Sequence, residues 1–236
     1  MKRTLLWLTL FSIAMGYLET SVVVYLREIY YPNGFYFPLV NMDIRIAITE
    51  LGREAATIIM LAGIGIVAGK NNTQRFAWFL YCFAIWDIFY YVFLKLLLNW
   101  PESLFTWDIL FLIPLPWVSP VICPCIISLS MIVLAFMLIH FNEKNSSLRI
   151  NLKEWMLFIS GSMIVILSFI IDCFSFIQSY TPLSSRRGVG GEALEAISSY
   201  IPHHFDWWIF WLGEIFILTA IALFYVRAKK LLLLTK

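Results

Sequence analysis

Six long apolar runs succeed one another along the 236 residues, at about 4–26, 47–69, 76–98, 117–141, 154–177 and 207–227. Each is close to the roughly 20 residues that an α-helix, rising about 1.5 Å per residue, needs to cross a hydrocarbon core. The connections at 70–75 and 142–153 are short and polar, whereas those at 27–46, 99–116 and 178–206 are long and rich in aromatics and proline. No internal repeat or low-complexity tract divides the chain. The pattern predicts an all-α integral membrane protein: a single domain over 1–236, built as a bundle of about six transmembrane helices.

The stretch Ile44–Lys70, IRIAITELGREAATIIMLAGIGIVAGK, joins this pattern to a candidate chemistry. It opens with Glu50, Arg53, Glu54 and Thr57 at helical spacing, so these side chains share one face. Beyond Thr57 it is apolar all round, as a membrane span is and a surface helix is not. The first run follows Met1-Lys2-Arg3 and carries Ala14 and Gly16 at a spacing that resembles a signal-peptide cleavage site. Its apolar character resumes through Val22–Leu26, which predicts a retained first helix.

Composition supports the class. Hydrophobic residues make up 61% and charged residues 14%, with a mean hydropathy of +0.82. A soluble domain has about 45–50% apolar and about 25% charged residues. The net charge of +2 is too small to suggest a nucleic-acid partner. Cys82, Cys123, Cys125 and Cys173 all lie inside apolar runs and read as buried small hydrophobes. Cys123-Pro124-Cys125 is not a C-x-x-C redox spacing, so cysteine gives no compartment signal.

How the charge is distributed says more than its sum. Lys2, Arg3, Lys70, Arg75, Lys144, Arg149, Lys153, Arg227, Lys229, Lys230 and Lys236 fall on one side of the runs. The other side has Arg27, Arg45, Arg53, Lys95, Arg186 and Arg187. The positive-inside rule then predicts both termini in the cytoplasm and the long loops outside. The sequons at Asn71 and Asn145 would lie inside and stay unmodified. Acids are just as lopsided: Glu143 and Glu154 alone belong to the cytoplasmic side. Acids contribute little to topology, so the outer half of the protein must account for this bias.

Glu19, Glu50, Glu54, Asp87, Asp172 and Glu214 fall in the outer half or near the middle of five of the six runs, with Lys95 two turns outward of Asp87. A charge facing lipid costs at least about 2.5–3.5 kcal/mol, so these side chains are expected to face the bundle interior or water. A shared polar site follows, with Glu50, Glu54 and Asp87 as candidate acid/base residues. Arg53, Glu19, Asp172 and Glu214 are candidate binding residues, Arg53 as a clamp for an anionic head group. The plainer alternatives are an interfacial ion-pair cluster for Glu50, Arg53 and Arg45, and helix-to-helix hydrogen bonding for Glu19, Asp87, Asp172 and Glu214.

His203-His204 stands before Asp206, a candidate N-cap for the last span. Imidazoles beside carboxylates suit a zinc, iron or manganese site. Adjacent histidines on a loop nevertheless lack the i, i+4 spacing of a helical metal motif, and no cofactor follows from the sequence. His140 reads as interfacial. The tryptophans and tyrosines cluster toward the outer interface, where amphipathic rings gather. Pro101, Pro114, Pro116 and Pro120 cannot continue a regular helix, and irregular backbone at membrane depth is tolerated only when buried or lining a cavity. Leu104–Pro116 is therefore expected to be re-entrant or surface-lying and to roof the polar site. An outer loop over Ser184–Gly191 and a short amphipathic helix over Glu192–Tyr200 are expected as well. Gly65-x-x-x-Gly69 permits close helix packing.

No P-loop, G-x-S-x-G, H-E-x-x-H or dinucleotide fingerprint is present. The segments GYLETSVVVYLREIYYP, ELGREAATIIML and WDIFYYVFLKLLLNWPESLFTWDILFLIPLPWVSPV resemble a family of bacterial multi-pass membrane proteins, over roughly residues 16–120. That resemblance implies a bacterial membrane protein and no particular substrate. Three functional classes remain open: a membrane-embedded enzyme acting on a lipid or lipid-linked substrate, a subunit or assembly factor of a larger membrane complex, and a proton- or ion-coupled transporter. The partners implied are the bilayer, a lipid or lipid-linked ligand, and companion subunits.

Overall fold

A computed structural model describes residues 2–40, 42–112, 115–180 and 199–234. Its elements, in chain order, are α1 (Lys2–Tyr30), α2 (Ile44–Ala68), α3 (Asn72–Leu98), β1 (Trp107–Phe111), β2 (Trp117–Pro120), α4 (Ile122–Lys144), α5 (Leu152–Tyr180) and α6 (Trp207–Leu234). All six helices are long and apolar enough to cross a membrane, as a multi-pass helical bundle requires. Large apolar side chains such as Trp7, Ile59, Val67, Leu96 and Leu152 lie more than half exposed on their outer faces. Such a surface implies contact with a lipid bilayer. The loop expected over Ser184–Gly191, and the expected helix over Glu192–Tyr200 up to Ser198, lie outside the described residues.

Helix boundaries follow local chemistry. The Asp43 carboxylate caps α2 by accepting from the Arg45 N–H at 2.8 Å, and the Asn71 side chain caps α3 by accepting from the Gln74 N–H at 3.0 Å. Asn99 ends α3 in the left-handed conformation at φ 51°. Asn151 and Glu154 form a reciprocal capping box at the start of α5, each side chain accepting from the other's backbone N–H at 2.8 Å. The same Glu154 carboxylate accepts two hydrogen bonds from Arg227 of α6, both at 2.7 Å, which ties α5 to α6 at the end of the bundle bearing the termini. At the last helix the expectation needs amending. The Asp206 backbone carbonyl receives the Ile209 and Phe210 N–H groups, while its side chain takes the Trp208 indole N–H at 3.2 Å.

The fourth span starts at Ile122, five residues later than its hydropathy suggests, because Trp117–Pro120 is a strand. This strand pairs antiparallel with Trp107–Phe111, in the register Trp107 to Pro120 and Ile109 to Val118, with an irregularity between Ile109 and Phe111. The proline-rich segment expected to be re-entrant or surface-lying is thus a two-stranded hairpin. Pro120 sits at the strand's end, where a missing N–H is tolerated, and Pro124 falls in the first turn of α4, whose N–H groups have no helical acceptor.

Helix α3 packs against α1, α2 and α4; α6 joins α4 to α5, and α5 also touches β2. Two close crossings set this arrangement. A Cβ on Gly65 would stand 2.9 Å from the Arg75 carbonyl oxygen, and one on Gly69 2.3 Å from the Arg75 nitrogen, so the Gly65-x-x-x-Gly69 pair does let α2 approach the start of α3. Gly161 of α5 and Gly213 of α6 face each other in the same way, each Cβ position 2.8 Å from the other's carbonyl oxygen. Apolar side chains from α1, α3, α4 and α6, including Leu8, Trp78, Leu134, Leu138 and Phe224, fill the main core. Helices α2 and α5 share no extensive contact, and the space between them is open.

Candidate functional site

That space is a cavity of about 1110 Å³, walled by α1, α2 and α3 on one side, by α4 and the hairpin, and by α5 on the other. Its lining is largely apolar, and its ionisable groups are Glu19, Arg27, Glu50, Arg53, Glu54, Asp87 and Asp108 with Tyr30, Tyr31, Tyr90 and Tyr91.

One turn of α2 organises the polar part. Glu50 and Arg53, three residues apart, pair through the Arg53 Nε at 2.7 Å. The guanidinium Nη1 donates to Glu19 of α1, so a single cation is shared by carboxylates from two helices. Thr57, one turn further, donates to the Arg53 carbonyl at 3.1 Å and lies 3.4 Å from Glu19. Glu54 turns the other way and accepts the Leu112 N–H with both oxygens, at 3.1 and 3.2 Å. Leu112 directly follows β1, so a carboxylate of α2 holds the hairpin in place. On the neighbouring helix, Asp87 of α3 accepts from the Ser128 hydroxyl of α4 at 2.8 Å.

A second polar group closes the hairpin end. Arg27, at the end of α1, lies 3.7 Å from Asp108 of β1, which also accepts from the Tyr91 hydroxyl at 3.0 Å. The guanidinium stands over the ring of Trp100 at 3.8 Å and that of Phe35 at 4.5 Å. Burial pushes the Asp108 carboxyl up to about 6, against the opposing pull of Arg27 and of the hydrogen bonds from Ile109 and Tyr91. Asp108 is therefore a carboxyl whose protonation changes near neutral pH, at the joint between hairpin and bundle.

Of the residues expected at a shared site, Glu19, Glu50, Arg53, Glu54 and Asp87 line this one cavity. Three other expectations are not met. Glu214, almost fully buried in α6, accepts from the Ser130 hydroxyl behind the cavity wall, and only Ser130 reaches the lining. Asp172 accepts from the Tyr200 hydroxyl away from the cavity, and burial together with this carboxylate pushes the Tyr200 phenol upward. His203 and His204 are both exposed; His204 lies 3.6 Å from Asp206, and neither histidine lines the cavity. Among the described residues no group of three or more His, Cys, Asp or Glu side chains could hold a metal ion. Lys95, two turns outward of Asp87 on α3, donates to the carbonyls of Asn99 and Pro101 at 3.2 and 3.0 Å.

Arg27, Tyr91, Asp108 and Ser128 escaped sequence reasoning. Arg27 and Asp108 belong to long connections by hydropathy, and Tyr91 and Ser128 are ordinary residues of apolar runs. Only the pairing of the proline-rich segment with itself brings Asp108 to Arg27. Comparison with family models, with curated proteins and with solved structures finds no match.

Proposed function

We propose that the protein is a membrane-embedded enzyme that admits a lipid or lipid-linked substrate between α2 and α5. In this reading Glu54 is the general base and Asp87 the acid, and the polar wall faces the non-cytoplasmic side. The observation that carries it is the cavity's division: five carboxylates and two guanidiniums stand on the α1–α3 and hairpin walls, while α5 contributes side chains such as Phe158, Ile159, Met163 and Ile166. An amphiphile has the same division. Its chain would lie along α5, and its reacting end would meet groups able to exchange protons.

Within the cluster, Glu54 suits the base better than Glu50, because Glu50 is committed to Arg53, whereas among the described residues Glu54 accepts only from the neutral Leu112 amide. A solute pathway gains no such support. Toward the end bearing the termini the cavity is walled by Phe76, Phe79, Trp155 and Phe158, without a charged group. The test has two arms. Native mass spectrometry of the protein extracted in mild detergent should show a retained lipid. Incubation with total bacterial lipid extract should change the mass of one lipid class, and Glu54→Gln and Asp87→Asn should abolish that change while leaving the protein folded. A wild-type protein that retains no lipid and alters none would refute the proposal.

A further inference from the structure

We propose, resting on the reading that this cavity holds a lipid, that the ligand's head group is cationic, an amine or quaternary ammonium, received by Glu54 and Asp87. The charges already placed around the cavity argue for it. Both guanidiniums are occupied: Arg53 by Glu50 and Glu19, Arg27 by Asp108 and by the faces of Trp100 and Phe35. A phosphate head group would have to displace a carboxylate from one of them and then stand among five carboxylates. Glu54 and Asp87, in contrast, meet neutral donors, the Leu112 amide and the Ser128 hydroxyl, and among the described residues neither has an ion-pair partner.

The two carboxylates line this one cavity, Glu54 beside the Leu112 that follows β1 and Asp87 beside Ser128 of α4. A cation there would supply the counter-charge that the fold itself does not provide, in surroundings where a bare charge is costly. The rings of Trp86, Tyr90 and Tyr91 line the same cavity, and aromatic faces attract ammonium groups as they attract Arg27 at the hairpin end. The site is thus anionic by what remains unpaired, and not merely by its count of acids.

Four probes of equal chain length separate the outcomes: dodecyltrimethylammonium, dodecylamine, dodecyl phosphate and dodecanol, titrated into the full-length protein in a neutral detergent. Binding is read from the change in tryptophan fluorescence, to which Trp86, Trp117 and Trp155 of the cavity lining contribute. The two cationic probes should bind saturably and at least about tenfold more tightly than dodecyl phosphate. In the isosteric Glu54→Gln/Asp87→Asn protein that preference should shrink to about threefold or less. Comparing wild type with variant cancels partitioning into micelles, and either single variant serves if the double does not fold. Dodecyl phosphate binding as tightly as the amines, or a preference unchanged by the substitutions, would overturn the head-group assignment and leave the lipid cavity standing. Saturable binding by none of the four would remove the cavity's role as a lipid site and this assignment with it.

Discussion

Arg53 is the most informative residue to remove, because one side chain neutralises two. Its side chain is 22% exposed, while those of Glu19 and Glu50 are 13% and 8% exposed, so little water is at hand to screen what is left behind. Arg53→Met keeps the length and removes the charge, leaving two carboxylates from different helices beside each other. Taking one partner from a buried ion pair costs about 3–5 kcal/mol, most of it the uncompensated charge. For a chain of this size each kcal/mol moves the melting temperature by about 2–4 °C, which predicts a fall of roughly 6–20 °C. The control is Glu19→Gln/Glu50→Gln/Arg53→Met. Replacing all members of a buried ionic group by neutral residues of similar volume is often neutral or stabilising, so the triple variant should regain most of the loss. Thermal unfolding in mild detergent, followed by tryptophan fluorescence and by size-exclusion recovery, measures both. If Arg53→Met melts within about 2 °C of wild type, a loss of no more than about 1 kcal/mol, the cluster is solvated and not buried. If the triple variant melts as low as the single, the guanidinium acts through packing and not charge.

Gly213→Ala should cost about 1–3 kcal/mol by forcing α5 and α6 apart, since the new Cβ would stand 2.8 Å from the Gly161 carbonyl oxygen. A melting temperature equal to wild type would show that the crossing is loose. Leu112→Pro removes the N–H that Glu54 accepts and should cost about 1.5–3 kcal/mol of hairpin docking; limited proteolysis cutting near residues 107–120 in the variant and sparing wild type would register it. The pH dependence follows from Asp108, whose carboxyl is raised from an ordinary 3.8 to about 6. Its docked form holds the proton more tightly than its free form, so this contribution is fully present below 3.8 and is lost as pH rises through 6. The gap amounts to about 3 kcal/mol. Amide exchange in β1 and β2, corrected for the intrinsic rate, should slow on going from pH 7 to pH 5, and Asp108→Asn should flatten that slope. Exchange that speeds up on acidification, or an unchanged slope in Asp108→Asn, would refute the assignment.

Hydropathy makes the helices legible because each run must satisfy its own backbone in lipid, so length and apolarity together suffice to locate it. It fails at Trp117–Pro120, where no charged residue separates a strand from the helix that follows. Pro114, Pro116 and Pro120 rule out a helix there without saying what replaces it, and the segment carries no Asn-Gly or Asp-Gly turn to announce a hairpin. The site divides along a similar line. Spacing puts Glu50, Arg53 and Glu54 on adjacent faces of α2, and depth puts Glu19 and Asp87 at a level where they can meet that turn. Depth is silent about direction, however, and runs that are apolar all round carry no facing information. Asp172 and Glu214 sit at suitable levels yet point to Tyr200 and Ser130.

The cavity is a consequence of where α2 finds its partners. At one end Gly65 and Gly69 seat its backbone against α3; toward the other, Arg53 reaches Glu19 on α1 and Glu54 reaches Leu112 beside the hairpin. None of these anchors is on α5. Helix α5, for its part, is held by Gly161 against α6, by Glu154 to Arg227, and by its contact with β2. Each helix is thus fixed from behind, and nothing in either set of contacts draws the two together. A void between well-packed helices ordinarily costs stability and collapses. Here collapse would require α2 to give up an ion pair and the shared hydrogen bond from Leu112 beside the hairpin, or α5 to leave a glycine crossing. The sequence therefore keeps the opening by anchoring its two walls separately, and the polar cluster that lines it is part of that anchorage.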